Sequence, residues 1–114
     1  MASERYDPRY LEYFERFNRQ EYFEAHEVLE DLWLATRDDR RDFYKGLIQT
    51  AAVFLKLKQG KPEPASRLAA RACGLLVRYE PQFEGLDVRA LTTLLRTATG
   101  SPTTPRLQPE ASCD

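Results

Sequence analysis

The sequence predicts an all-α fold, one compact domain of about five helices arranged as a bundle or array, and three observations carry that expectation. Apolar residues recur at three- and four-residue spacing through five separate stretches. Prolines and glycines fall between those stretches rather than inside them, Gly46 and Gly74 apart. No run alternates apolar and polar residues long enough to make a strand. At 114 residues, with 42% hydrophobic and 31% charged side chains, the chain has the length and composition of one globular core rather than of a disordered segment.

Each helix has its own start and stop. Asp7 before Pro8 reads as an N-cap and a first helical residue, and Leu11, Phe14 and Phe17 follow on one face, which gives a helix over about residues 8–18. Asn18 with Glu21 three residues later has the form of a capping box for a second helix running to about Thr36, with Tyr22, Ala25, Leu29, Leu32 and Trp33 as its apolar positions. Phe43, Leu47, Ala51, Phe54 and Leu57 mark a third, closed by Gly60 and Pro62. Its apolar arc is wide, which predicts the most buried helix, and Gly46 within it predicts a close neighbour. The second and third helices, joined by the short charged stretch 37–41, are expected to pack as antiparallel neighbours. Pro62 and Pro64 open a fourth helix with Leu68, Ala72, Leu75, Leu76 and Tyr79 on one face and Arg67, Arg71 and Arg78 on the other; Pro81 ends it. Leu86 and Asp87 precede a fifth, running to Gly100. The expected division is a helical domain over residues 1–100 and a disordered C-terminal tail over 101–114, proline-rich and nearly devoid of large apolar residues.

Charge and composition narrow the function classes. Seventeen basic and eighteen acidic residues are balanced and interspersed along the chain, so the global positive field typical of nucleic-acid binding is absent; Arg67, Arg71 and Arg78 read more simply as a solvated face. The longest apolar run, 51–55, is far too short to span a bilayer, and the N-terminal residues lack a leader pattern, which leaves a cytoplasmic location as the expectation. Cys73 and Cys113 form no metal or redox motif.

One constellation points to chemistry. On a helical wheel starting at Tyr22, Glu24, Glu27 and Asp31 fall on the solvated side, whereas His26 and Glu30 fall at about 40° and 80°. Trp33 lies beside them, and Phe23 and Leu34 just beyond, so two polar side chains interrupt what reads as an apolar arc. A buried histidine or carboxylate needs partners. The i, i+4 spacing lets His26 and Glu30 converge on one proton, ligand or metal ion, and Lys45 or Gln49 of the third helix can meet them across the helix pair. A divalent metal ion held by His26 and Glu30 is one candidate occupant, a ligand held by His26, Glu27, Glu30, Trp33, Lys45 and Gln49 another. The segment HEVLE departs from the zinc-protease pattern H-E-x-x-H, since Glu30 stands where the second histidine belongs and the chain has no other. A ferritin-like di-iron set is incomplete in one chain. A homodimer, suggested by the wide apolar arcs, would supply a second His26. The alternative is a non-catalytic protein–protein interaction module in which His26 and Glu30 only fix helix packing. No catalytic residue is assigned.

The segments YFEAHEVLEDLW and DFYKGLIQTAAVFLKLKQG, with the later GLDVRAL, resemble the family known as domain of unknown function 309, over about residues 10–98. The resemblance implies a compact helical domain and places the family's His-Glu signature on His26, Glu27, Glu30 and Trp33. It implies no activity.

Overall fold

The computed structural model describes residues 6–98. Five helices are formed: α1 (Pro8–Asn18), α2 (Tyr22–Ala35), α3 (Arg41–Lys58), α4 (Pro62–Leu76) and α5 (Val88–Ala98). The expected boundary at Gly100 and the tail 101–114 lie outside the described residues.

Both predicted caps at proline and aspartate are present. The Asp7 carboxylate accepts from the Arg9 backbone N–H at 2.8 Å, and the Asp87 carboxylate accepts from that of Ala90 at 2.9 Å. Helix α3 ends in a Schellman turn: Gly60 sits at φ +74° and the Lys61 N–H donates to the Lys56 carbonyl at 2.8 Å. The capping box is not formed. Asn18 stays in α1, which closes by the same turn with Gln20 at φ +64° and the Glu21 N–H donating to the Arg16 carbonyl. Glu21 then precedes α2 without a side-chain cap, its carboxylate taken by Arg16 at 3.0 Å.

After α4 the chain tightens into a 3₁₀ turn at Val77–Tyr79 and then makes a feature the sequence did not announce. Two two-residue strands, β1 (Gln82–Phe83) and β2 (Leu86–Asp87), pair antiparallel, with Gln82 opposite Asp87 and Phe83 opposite Leu86. Pairs this short leave no alternation to detect. Glu84 and Gly85, both at positive φ, make the turn between them.

Helix α3 is the centre, as its wide arc predicts. It packs against α2 and α4, and α1 in turn packs on α2. Phe43, Leu47, Ala51, Val53 and Phe54 are buried. Tyr13 of α1 reaches across and donates to the Leu47 carbonyl at 2.6 Å, and Tyr10 donates to the Glu84 carbonyl at 2.8 Å, so two large phenols are buried with their hydroxyls satisfied. On the α4 side Gly46 allows the close approach expected of it. A Cβ there would lie 2.7 Å from both Cγ and Cδ2 of Leu76, and Ala65, Ala69 and Ala72 keep the facing surface of α4 low.

Candidate functional site

Helix α2 buries Tyr22, Ala25, Leu29 and Leu32, with Thr36 just beyond it. That buried stripe is centred well to the other side of Tyr22 from Phe23 and Leu34, which are 52% and 55% exposed. Of the expected apolar positions 22, 25, 29, 32 and 33, the first four are buried and Trp33 half-buried, whereas the extension of that arc through Phe23 and Leu34 is corrected. His26 and Glu30 do not interrupt the core; they occupy the shoulder between the buried stripe and an exposed apolar edge, both half-buried. Residue type misled here because apolar residues are free to lie outside, while only polar residues are strongly constrained.

The end of α2 meets the start of α3. The Arg41 guanidinium carbon stands 4.2 Å above the centre of the Trp33 ring and the Lys45 ammonium 5.8 Å from it. At the other end Tyr22 of α2 packs on Phe54 of α3, with ring centres 5.9 Å apart, so the two helices are antiparallel as predicted. In that register Glu30 falls level with Lys45 and Gln49, and His26 about one turn further along α3. Phe23 stacks on the His26 ring at 6.1 Å and 27°.

The polar atoms of this region are unusual in having nothing to bond. Nδ1 of His26, Nε1 of Trp33 and Oε1 of Gln49 are buried and have no hydrogen-bond partner. Among the described residues no hydrogen bond or ion pair joins His26 to Glu30, and Arg41 and Lys45 reach no carboxylate. Arg41 makes one long contact to the Thr36 carbonyl, at 3.4 Å. All three orphaned atoms belong to residues singled out from the sequence. A histidine fixing the packing should show a partner, because a buried polar group left unmade costs about 1–3 kcal/mol.

The candidates do not all gather. Trp33 and Lys45 are brought together. Glu27 faces solvent and lines, with Glu12, Arg16, Glu24, Glu30 and Asp31, an open cleft between α1 and α2. Lys45 is exposed and Gln49 half-buried. No group of three or more His, Cys, Asp or Glu residues able to hold a metal ion is present among the described residues, so His26 and Glu30 gain no third ligand from them. Sequence reasoning missed Arg41. Its signal was its place one turn before Lys45 on α3, but a contact across two helices is not written in either helix alone. Cys73 is half-buried, its thiol 3.7 Å from the Thr92 carbonyl and raised in pKa by burial, consistent with an unreactive side chain. No helix among the described residues is long and apolar enough to cross a membrane.

Comparison with known proteins agrees with the helical signature. An uncharacterized protein of Aquifex aeolicus (strain VF5) is 24% identical over 86 residues, 75% of this chain; the chain spans about a quarter (26%) of that relative's length. No solved structure matches. The family described as "Domain of unknown function (DUF309)" matches residues 10–68, which takes in α1, α2, α3 and the signature around His26 but stops short of the GLDVRAL segment, and this chain belongs to that family.

Proposed function

We propose that the shoulder between α2 and α3, around His26, Glu30, Trp33 and Gln49, binds a small polar ligand. The observation supporting this is the set of three buried, unpartnered polar atoms on facing helices. They are chemically complementary to a ligand rather than to one another: the Trp33 indole N–H only donates, the Gln49 carbonyl oxygen only accepts, and His26 Nδ1 does either. Arg41 and Lys45, unpaired beside Trp33, favour an acceptor or an anionic group at that end. A divalent ion is the weaker version of the same proposal, since it has two protein ligands here and would need water or a second chain for the others.

Trp33 is the only tryptophan, so its fluorescence reports on the site directly. The test screens untagged protein against acetate, phosphate, glycine and Zn²⁺ by Trp33 fluorescence and thermal melting, beside elemental analysis and native mass spectrometry of the protein as purified. The expected result is a saturable fluorescence change with a rise in Tm, lost in His26→Ala and Gln49→Leu, both of which still fold. No co-purified mass, no response to any probe and a lowered Tm in both variants would leave these residues structural. A second reading, a non-catalytic interaction module, draws on Phe23 and Leu34, which stand exposed on the adjoining edge of α2. Phe23→Ser/Leu34→Ser would abolish its partner binding while leaving the small-molecule response intact.

A further inference from the structure

The formal charge of the chain is only −1, and the expectation of interspersed charges is corrected for two stretches, in which they are segregated. Residues 21–36 hold five acids and no lysine or arginine, and residues 56–78 hold six basic residues against one acid. The fold carries the two blocks to separate outer surfaces, because α2 and α4 pack against α3 on flanks about 140° apart, as Arg41 and Gly46 mark them.

On the α2 side, Glu24, Glu27, Glu30 and Asp31 join Glu12 and Arg16 of α1 around a cleft of about 430 Å³, with Val28 in its lining. Its single cation is spent internally, Arg16 lying 3.2 Å from Glu12 and 3.0 Å from Glu21. Among the described residues Glu24, Glu27 and Asp31 form no ion pair. On the α4 side Arg67 and Arg71 stand exposed one turn apart, equally unpaired, whereas Arg78 is bound to Asp42 at 2.8 Å. Gly74 lies one turn beyond Arg71 on this face. Unlike Gly46, it is not required by the packing, since a Cβ there would meet nothing within 4 Å. A glycine is disfavoured inside a helix, and here it leaves the backbone bare at the middle of a basic, outward surface with Ala70 beside it.

We infer that copies of this chain associate head to tail, the arginine face of α4 in one copy seated in the acidic cleft between α1 and α2 of the next. The cleft is concave and anionic, the ridge convex and cationic; within the cleft Arg16 is bound to Glu12 and Glu21, and Glu63 at the start of α4 makes no ion pair with Arg67. Arginine suits the role because its stem can lie along Val28 while its guanidinium reaches two carboxylates. The two surfaces are different, so the contact is heterologous: each copy keeps one free acidic and one free basic face, and assembly continues until a ring closes. The orphaned atoms of the ligand site take no part in this contact; Glu30, which lines the cleft as well, is the one residue the two share.

Sedimentation of the full chain over a concentration series tests it, with two neutralised variants, Arg67→Gln/Arg71→Gln and Glu27→Gln/Asp31→Asn, first checked for parental helicity by circular dichroism. At low ionic strength the parent should grow in mass with concentration, and it should revert to monomer where salt shortens the screening length to about 3 Å. Each variant alone should be monomeric. Their equimolar mixture should form a one-to-one dimer and nothing larger, since one supplies the only cleft and the other the only ridge. A parent that stays monomeric, a variant that associates like the parent, or a mixture that stays monomeric overturns the inference.

Discussion

Helix α3 meets α4 on one flank and α2 on the other, and the α4 flank is fitted atom to atom while the α2 flank leaves polar groups unmade. Against α4 the contact is made by Gly46, Leu76 and a row of buried alanines, with nothing polar to satisfy but Thr50, which donates to the Gly46 carbonyl at 2.8 Å. Against α2 the contact includes Trp33 under two unpaired cations, and His26 and Gln49 each contribute a buried atom without a partner. Flanks built for packing alone tend toward the first state, because mutation readily replaces an unsatisfied polar atom by an apolar one at little cost. That difference is what supports the proposed ligand site on the α2 side.

The comparison is broken most forcefully on the α4 side. Leu76→Ala removes a fully buried side chain from the fitted flank and should cost about 2–5 kcal/mol. Gly46→Ala forces a methyl against Leu76 and should cost about 1–3 kcal/mol. The two changes answer each other, since shortening Leu76 clears the space that the new Cβ needs. Urea unfolding of both single variants and of the double should therefore give a double-variant loss smaller than the sum of the singles. An additive result would mean that Gly46 and Leu76 are not in contact.

The fitted flank was the more legible one in the sequence. Gly46 inside a long apolar helix announced a close neighbour, Asp7 and Asp87 announced their caps, and the 3.6-residue period of α3 announced its burial. The α2 flank was half legible. Period and spacing selected His26, Glu30, Trp33, Lys45 and Gln49, but the wheel was turned too far toward Phe23 and Leu34 because an exposed apolar side chain looks the same as a buried one in a sequence. The Asn18–Glu21 pattern failed for a different reason: the competing Schellman turn at Gln20 uses backbone groups, which any residue carries. The hairpin at β1 and β2 was too short to have a period.

A third side of α3, facing α1, should show its character at high pH. Burial pushes the Tyr44 phenol up to about 12, with the Glu84 carboxylate adding to the effect, and burial raises Tyr10 and Tyr13 further still. The unfolded chain ionises its phenols near pH 10, as the model-peptide value of about 10 implies. The folded state thus holds its protons longer, so stability is complete below that pH and is lost as pH rises through the folded values. Denaturation midpoints should fall steeply between about pH 10 and 12, and Tyr44→Phe should make the fall shallower. A midpoint flat across that interval would show these phenols to be less buried than Tyr13 and Tyr10 stand in the structure.

On the α2 flank the expected sign is reversed. Gln49→Leu replaces an unpartnered polar atom by an apolar one of similar size, so stability should hold or rise by up to about 1 kcal/mol. Urea unfolding checks this. A loss above about 2 kcal/mol would mean that the Gln49 oxygen is hydrogen-bonded in solution and would erase the contrast between the two flanks.

The smallest effect separates the two glycines. Gly46 and Gly74 both lie inside helices, where alanine is favoured by about 1 kcal/mol, and differ only in what a methyl would meet. At Gly74 it meets open space, so Gly74→Ala should raise stability by about 0.5–1 kcal/mol, a small increase in Tm without any change in the unfolding slope. The same methyl stands on the basic face of α4, beside Ala70 and one turn from Arg71, where a neighbouring copy would have to fit around it. The variant should therefore fold more stably and associate less well than the parent at equal concentration and salt. If it gains stability and associates unchanged, Gly74 lies outside the contact; if it loses stability, the space around it is occupied in solution by something the isolated chain does not show.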